Sequence, residues 1–503
     1  MSDDDKQNRG VYTAPGLAMR FPLASMEKVP SIQQAKWGKA VVVVFLSGAL
    51  LRVILAVVNL EANDNHIEVI SVIADENRIP DKAEFWEAFQ PKLYHVTVAA
   101  LWRALPTSSP LIRIRLAQLV SCAAGIVTLW IALAFLRSEV NVSAKASLLS
   151  CALLAFNPGL IGINAQATND SFVILFVGLA LFFGYRFFAR LGSKDFCWMT
   201  VSAVLAGISK GNGLVVFLAI LGVFAMAFLG SPNNSQRTRH RVVLYGSIFL
   251  GAYLAVVPRV GSYWDQYRRY GSPFATPMLP APFPKLLEKS FVYKPGVTSI
   301  ADALLTFRLF DLLRNPVSTT DAEKYPLHRT SLWSQLYGRA HFAHFDAWPP
   351  SWRLPSDSGQ WVTSGAWTIG RLIFLCALFP TVLLIVAIGR RIVAAFRWLT
   401  KANSPPPQWQ DWLLEFAMFG YITFIVVYSL RLRDFAVMKA VFIFPGLLGF
   451  LTLFARECDK FYERYFEKTS VRLAADTVMV ALLFFYTTDV VALIGQLALK
   501  KVA

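Results

Sequence analysis

Residues 39–66 read KAVVVVFLSGALLRVILAVVNLEANDNH, an apolar run followed at once by a polar stretch that contains two carboxylates. A helix needs about 20 mostly apolar residues to cross the hydrocarbon core of a bilayer, and the segment 39–58 has that length. Ionisable groups held close to a membrane are costly and usually mark function. We therefore expect the chemistry of this protein in the polar stretch after the first helix.

The composition of the whole chain indicates the same membrane environment. Of the 503 residues, 55% are hydrophobic and 16% are charged, whereas soluble domains carry about 25% charged residues. Long apolar runs recur to the C-terminus, and a membrane β-barrel would instead show short strands of alternating polarity. The sequence therefore predicts an all-α polytopic membrane protein.

About eleven apolar runs are interpreted as membrane-spanning helices. They are 39–58, 112–136, 145–163, 171–190, 196–209, 212–230, 241–258, 366–389, 411–430, 438–455 and 475–498. The run 92–105 is too short to cross and ends near Arg103, so we expect an interfacial helix on the outer side. The segment 259–365 is rich in Trp, Tyr, Phe and Pro, which favours an outer loop that folds down as a lid.

The distribution of basic residues orients these spans. With the N-terminus inside, nearly every short cytoplasmic loop is basic, as the positive-inside rule requires. The residues concerned are Arg137, Lys145, Arg186, Arg190, Lys194, Arg237, Arg239, Arg241, Arg390, Arg391, Arg397, Lys401, Arg456, Lys460, Arg464, Lys468 and Arg472. A crossing at 92–105 would place all of these loops outside, so the charge pattern rejects it.

This topology divides the chain into four parts. They are a cytoplasmic tail (1–38), a membrane module (39–258) with the first outer loop 59–111, the outer lid region (259–365), and C-terminal membrane helices (366–503). Much of the net charge of +17 lies in the inside loops, where it faces anionic lipid. No basic stripe with a nucleic-acid-binding signature accompanies it, so we expect membrane lipids and no nucleic acid as partners.

The same topology gathers polar residues at the outer ends of several helices. Asp64 lies in the first outer loop, Asp170 precedes the fourth span, and Lys210 ends the fifth. Each has a simpler interpretation: either carboxylate can cap a helix, and the lysine can extend to the interface from an apolar stem. Likewise, His66 and His95 have no close third ligand, so we interpret them as hydrogen-bonded interfacial residues and not as metal ligands.

The order of these elements resembles the C-type (GT-C) glycosyltransferase superfamily, in particular the branch of protein O-mannosyltransferases and lipid A aminoarabinose transferases. The matching motifs are Asp64, Gln90-Pro-Lys-Leu-Tyr94, Asn157-Pro158 with Asn169-Asp170, Gly207-Ile-Ser-Lys210-Gly-Asn-Gly213, Tyr267–Phe274 and Lys439–Pro445. The second motif is similar to the family's His-Pro-Pro-Leu-Tyr, with Lys92 in place of the second proline. The resemblance covers residues 38–275 well and the later helices loosely.

The resemblance implies a transferase that moves a sugar from a polyprenyl-phosphate donor to an acceptor hydroxyl at the outer face. The acceptor needs a general base, for which Asp64 is the first candidate and Asp170 the second. Fixed cations would stabilise the leaving phosphate, and the candidates are Lys210, Arg268, Arg269, Lys92, Arg433 and Lys439. The candidate substrate contacts are His66, Gln90, Tyr94, His95 and Asn169.

Direct attack by the acceptor would invert the anomeric centre. Because cations already face the leaving phosphate, we predict no metal or other cofactor; a divalent ion bound by carboxylates is the alternative. We expect a glycan, lipid or protein acceptor and a bacterial inner membrane location with the site facing the periplasm. Two other functions stay open: a transporter or flippase for a lipid-linked sugar, and a non-catalytic subunit that binds one. Arg52 stands almost alone at mid-helix depth, and this disfavours the transporter.

Overall fold

The computed structural model describes residues 31–229, 236–275, 299–316, 330–342, 360–400, 408–432 and 438–499. Within these ranges the chain is helical and has no β-strand. The helices are α1 (Ser31–Val58), α2 (Ile67–Asp75), α3 (Leu93–Ala104), α4 (Pro110–Ser138), α5 (Ala144–Phe156), α6 (Pro158–Asn164), α7 (Asp170–Arg190), α8 (Ser193–Ser209), α9 (Leu214–Leu229), α10 (Gln236–Val260), α11 (Tyr263–Tyr270), α12 (Ile300–Leu305), α13 (Leu309–Arg314), α14 (Leu332–His341), α15 (Gln360–Thr400), α16 (Trp409–Leu432), α17 (Leu447–Arg464) and α18 (Thr469–Leu499). In the same ranges, 3₁₀ turns lie at Trp86–Phe89, Gly211–Gly213, Ala440–Phe442 and Phe444–Gly446.

Eight of the described helices are long and apolar enough to cross a membrane: α1, α4, α7, α9, α10, α15, α16 and α18. The pair α5 and α6, bent by 52°, makes a ninth if it is counted as one span. These nine correspond to nine of the eleven expected runs. The predicted all-α polytopic membrane fold is confirmed. Among the described residues, length and composition select eight or nine spans against the eleven or so expected.

Two expected spans account for the difference. The run 196–209 forms α8, which has only 17 residues. The run 438–455 begins as two 3₁₀ turns and becomes helical only at Leu447. Its helix α17 carries charged residues along its second half, so the apolar stretch ends early.

Although α8 is short, it follows the whole length of α7 in the opposite direction. Asp195 in its first turn lies 3.1 Å from Arg186, near the end of α7. After its last turn, Lys210 lies 2.7 Å from Asp170, the first residue of α7. The chain therefore returns to the end at which α7 began, and that return positions Lys210.

The bend between α5 and α6 has a clear cause in the sequence. Pro158 lacks the N–H that would bond to the carbonyl of Leu154, so the helix is interrupted there. Arg52, buried inside α1, replaces the missing donor: its guanidinium donates to the carbonyls of Leu154 (3.2 Å) and Ala155 (2.7 Å). It also donates to the side chain of Asn164 at 2.9 Å, which fixes α6 against α1.

Aromatic packing fixes α7 against its neighbours. Phe187 lies with its ring centroid 5.4 Å from that of Phe196 in α8, 5.8 Å from Phe224 in α9 and 5.2 Å from Tyr245 in α10. Offset and edge-on rings of this kind add to the burial of apolar area. The rigid helix that results carries Asp170 at its first position.

The run 92–105 forms α3, which is too short to span, as expected. Val98 and Trp102 on its buried face belong to one apolar cluster with Val69 and Ile70 of α2. Its interfacial position stays a prediction. Of the predicted lid region 259–365, the described parts are the end of α10, the helices α11 to α14 and the beginning of α15. The remainder lies outside the described residues, so the lid also stays a prediction.

Candidate active site

The loop that carries Asp64 is joined by a backbone hydrogen bond to the segment directly before α7, which begins at Asp170. The amide of Ala167 donates to the carbonyl of Ala62 at 3.1 Å. Asn63 adopts a left-handed backbone conformation, φ 61°, which Asn tolerates better than most residues and which turns the chain directly before Asp64. We call the end of the helix bundle at which these two segments meet the site end.

Asp64 is the first member of a chain of three polar side chains. Its Oδ2 lies 3.1 Å from Nε2 of His66, and Nδ1 of His66 lies 2.9 Å from Nε2 of His95. Both imidazoles are fully buried, whereas the Asp64 side chain is 31% exposed. The carboxylate is thus open to a substrate on one side and supported by buried rings on the other.

Tyr94 packs with the buried histidines behind Asp64 and not on the exposed side of the carboxylate. Its side chain is fully buried, its hydroxyl donates to the carbonyl of Ala117 at 3.0 Å, and its ring lies edge-on to His66. The structure therefore places Tyr94 where it orients an imidazole. Its expected contact with substrate stays a prediction.

Glu87 is a third carboxylate at the site, and sequence reasoning missed it. It lies in the 3₁₀ turn Trp86–Phe89 and is 7% exposed. Burial, and then the charge of Asp64, raise the pKa of Glu87, while His66 and Lys210 oppose the rise. The sequence did carry a signal for it. An acid that stands among aromatic residues is expected to be buried and to need hydrogen-bond or charge partners.

The predicted contact residues Gln90 and Asn169 join the first loop to the membrane helices. Gln90 donates to Glu87 and accepts a hydrogen bond from the amide of Asn169. The same amide also lies 3.2 Å from the carbonyl of Ser209 at the end of α8. The side chains of Glu87, Gln90 and Asn169 are all buried, so this network holds Glu87 at a fixed distance from α7 and α8.

Asp170 and Lys210 form a nearly buried ion pair, with side chains 8% and 13% exposed. The other oxygen of Asp170 accepts a hydrogen bond from the hydroxyl of Thr168 at 3.2 Å. Burial opposes the charge on Lys210, but the carboxylates of Asp170, Glu87 and Asp64 outweigh it and raise the pKa of the amine. Lys210 is therefore a permanent cation at the site.

The turn after Lys210 requires glycine. The amide of Gly213 donates to the carbonyl of Lys210 at 2.9 Å, and a Cβ on Gly213 would collide with the carbonyl oxygen of Ala206. The lysine itself has an extended backbone, which directs the chain away from α8. The Gly-Asn-Gly sequence thus allows α9 to begin directly beside the site.

Lys439 adds a second cation from the far end of the chain. It precedes the 3₁₀ turn Ala440–Phe442 and is half-buried. Burial opposes the charge of Asp64, but His66, Lys439 and Lys210 outweigh it and lower the pKa of the carboxyl. Asp64 is therefore ionised, as a general base must be.

The helix-capping interpretations are wrong for both acids. Helix α2 begins at Ile67, as expected, but the residue before it is His66 and its side chain makes no capping hydrogen bond. Asp64 instead accepts from the amide of Asn65 at 2.9 Å. At the start of α7 the N-cap residue Asn169 makes no side-chain capping bond, and the hydroxyl of Thr168 accepts from the amide of Asp170 at 3.3 Å. The carboxylate of Asp170 is bonded to Lys210 and Thr168.

Lys92 is turned onto backbone carbonyls beside the 3₁₀ turn that carries Glu87. Its Nζ donates to the carbonyls of Ala88 and Gln90, and it is almost fully buried. Burial, and then the nearby Lys82, lower the pKa of Lys92 to about 7. This amine closes the 3₁₀ turn that carries Glu87, and its expected contact with phosphate stays a prediction.

Arg268 and Arg269 lie on the exposed face of α11. Arg269 is paired with Asp81 at 2.7 Å and Asp265 at 3.1 Å, and Arg268 stacks over Trp264. Neither arginine joins the central charges in the described structure. Their donor-binding role stays a prediction, and Arg433 lies outside the described residues.

Among the residues that the structure describes, no group of three or more His, Cys, Asp or Glu side chains is arranged to hold a metal ion. The expectation of a metal-independent reaction stays a prediction.

Comparison with known proteins supports the family resemblance. Residues 112–261 match the family model described as dolichyl-phosphate-mannose-protein mannosyltransferase. The matched region runs from α4 to α10 and contains Asp170 and Lys210. No curated protein matches the chain at a significant level. The expected resemblance to protein mannosyltransferases is confirmed over residues 112–261.

Several solved structures are distantly similar. The S. cerevisiae protein O-mannosyltransferase Pmt1-Pmt2 complex bound to the sugar donor is 15% identical, with a TM-score of 0.36 over 46% of this chain and 34% of that one. This chain therefore spans about a third of the length of the yeast protein. ArnT from Cupriavidus metallidurans bound to undecaprenyl phosphate is 15% identical, with a TM-score of 0.33 over 83% of this chain and 77% of that one. Its apo state is 13% identical, with a TM-score of 0.36 over 85% and 78%.

Proposed function

We propose that this protein is an integral membrane glycosyltransferase that moves a sugar from a polyprenyl-phosphate donor to an acceptor hydroxyl. The observation that carries the proposal is the meeting of Asp64, Glu87, Lys210 and Lys439 at the site end, from four separate segments of the chain. A base and fixed cations are the two things that this reaction needs from a protein. The family match over residues 112–261 supports the same class of reaction.

The transfer is a single displacement at the sugar. The acceptor oxygen forms a bond to the anomeric carbon, and the bond from that carbon to the phosphate oxygen breaks. The electron pair leaves with the polyprenyl phosphate, and the hydroxyl proton moves to the carboxylate of Asp64. Attack from the side opposite the leaving group inverts the anomeric centre.

Lys210 and Lys439 are assigned to the leaving phosphate. Charge-assisted hydrogen bonds to phosphate are strongest when the cation is fixed in advance and water is excluded. Asp170 fixes Lys210 at 2.7 Å, so we assign this acid to holding the cation and not to proton transfer. Because cations face the leaving group, the proposed reaction is metal-independent.

The site end is assigned to the outer face of the membrane, in a bacterial inner membrane, with a glycan, lipid or protein as acceptor. The basic loops that the positive-inside rule assigns to the cytoplasm support this orientation. Ser108 and Lys468 are both exposed and test it as single cysteines in a cysteine-free background. A membrane-impermeant maleimide should label Ser108→Cys from outside and Lys468→Cys only after lysis; the reverse pattern would overturn the orientation.

A transporter for lipid-linked sugar is the second candidate, and the fully buried Asp489 inside α18 is the observation that favours it. Arg52 gives it no support, because its guanidinium is bonded to backbone carbonyls and Asn164 in a structural role.

Reconstitution separates the two candidates. Purified protein in vesicles receives a mixture of polyprenyl-phosphate sugars with glycan, lipid and peptide acceptors, and free polyprenyl phosphate is measured. A transferase releases it, and Asp64→Asn abolishes the release while the exposed Asp75→Asn of the same loop does not. Movement of donor across the vesicle without any release would contradict the proposed function and favour the transporter.

A further inference from the structure

The two histidines behind Asp64 have no role in the mechanism so far. Asp64, His66 and His95 form an uninterrupted line, with 3.1 Å between the carboxylate and the first ring and 2.9 Å between the two rings. Both rings are fully buried, so water does not bond to them from the surface. Buried polar groups in a line of this kind are costly unless each bonds to the next.

The groups that face His66 come from every element packed around it. Asp64 faces it from its own loop, Glu87 from the 3₁₀ turn, and Lys210 from the end of α8. His95 and Tyr94 face it from α3. Two carboxylates thus face one imidazole, and Lys210 is the cation that opposes them.

Resting on the proposed function, we propose that His66 is a positioning residue that receives the proton Asp64 removes from the acceptor, and that His95 holds the His66 ring in the orientation this requires. The carboxylate then regains its negative charge while the glycosidic bond is completed.

The proton balance follows from the two short distances. Before transfer, neutral His66 donates from Nδ1 to Nε2 of His95, and its bare Nε2 faces Asp64. The acceptor proton passes to one oxygen of Asp64, and a proton passes from the carboxyl to Nε2 of His66. The imidazolium then donates to Asp64 from Nε2 and to His95 from Nδ1, so both contacts are satisfied. One proton has left the acceptor, and His66 later returns it through the partly exposed carboxylate of Asp64 to solvent.

The charges around the two histidines agree with this order of proton transfers. Burial opposes a charge on His66, but Asp64 and then Glu87 outweigh it and raise the pKa of the ring above its ordinary 6.5. Burial, and then His66 itself, lower the pKa of His95 far below that value, so His95 stays neutral and accepts. Protonated His66 cannot take a second proton, so kcat/KM should rise with pH through the raised pKa of His66.

The test uses His66→Gln, which keeps a polar side chain but does not titrate. Donor release by the variant should fall by about 10- to 100-fold, and the rise of kcat/KM should move to lower pH. His95→Gln should keep more activity than His66→Gln and should also shift the pH at which kcat/KM rises. His240→Gln, an exposed histidine on α10, is the matched control and should keep the wild-type profile. A wild-type pH profile in His66→Gln would overturn the proposal.

A second readout does not depend on turnover. With ¹³C-labelled histidine, the NMR signal that disappears in His66→Gln should titrate above pH 6.5 in wild type and at lower pH in Asp64→Asn. An unchanged titration in Asp64→Asn would overturn the coupling even if the enzyme is active. If the protein releases no polyprenyl phosphate at all, the proposed function fails, and this titration still decides whether Asp64 and His66 share a proton.

Discussion

Nζ of Lys210 lies 2.7 Å from Oδ1 of Asp170, although 40 residues and the antiparallel helices α7 and α8 separate them along the chain. The pair is almost fully buried at the site end, where Asp64 and Glu87 add negative charge. One carboxylate would suffice to neutralise one amine. The additional carboxylates keep Lys210 protonated.

Removing the cation should damage the chemical step. We expect Lys210→Met to lower donor release by about 100-fold, the usual cost of removing one fixed donor to a developing negative charge. Lys210→Arg should keep part of the activity, because the charge remains. Steady-state release of polyprenyl phosphate measures both, and equal activity in Lys210→Met and wild type would contradict the assignment.

Glu87 should tune the pH dependence more than the rate. Its charge helps to raise the pKa of His66, so Glu87→Gln should lower that pKa and move the rise of kcat/KM to lower pH. The amide can still bond to Gln90, so turnover at high pH should stay within about 10-fold of wild type. Glu76→Gln changes an exposed acid on the same loop and is the control. A profile that coincides with wild type would show that Glu87 does not act on His66.

Lys92 should affect stability between neutral and alkaline pH. Its pKa is about 7 in the folded chain and 10.5 at its ordinary value, so the unfolded chain binds the proton more readily between these limits. The unfolding free energy of wild type should therefore rise with pH in this window, and Lys92→Met should flatten the rise. Thermal unfolding in detergent from about pH 7 to about pH 10 measures this pH dependence. Lys468→Met, which changes an exposed lysine, is the control. Parallel curves for Lys92→Met and wild type would contradict the burial of the amine.

Arg52 should be structural. Arg52→Met leaves the carbonyls of Leu154 and Ala155 without their donor, which should lower the unfolding free energy by about 3 kcal/mol. Arg52→Lys keeps a charge but cannot reach all partners, so its unfolding free energy should lie between those of wild type and Arg52→Met. Thermal unfolding of the detergent-solubilised protein checks the order of the three, and an unchanged midpoint for Arg52→Met would contradict it.

Much of the fold could be predicted because long apolar runs are local signals. The same reasoning brought Asp64, Asp170 and Lys210 to one end, since it needed only the order and direction of the helices. It could not find Glu87, because burial of a loop residue depends on α3 and α7 packing around a short 3₁₀ turn. It misplaced the start of the helix in 438–455 because apolar residues there form turns that pack beside α7 instead of a regular helix.

Lys92 shows a second limit of sequence reasoning. A lysine beside a predicted active-site loop has the charge to bind phosphate, but the sequence does not tell where its stem points. The carbonyls left open at the end of the 3₁₀ turn take its amine instead. Such backbone partners become visible only when the turn itself is known.

The central claim is that Asp64 removes the proton of the acceptor during transfer from a polyprenyl-phosphate sugar. The direct test is the rate of polyprenyl phosphate release by reconstituted wild type, Asp64→Asn and the control Asp75→Asn with donor and acceptor present. We predict that Asp64→Asn releases it at least about 100-fold more slowly, while Asp75→Asn matches wild type. Wild-type release by Asp64→Asn would contradict the claim.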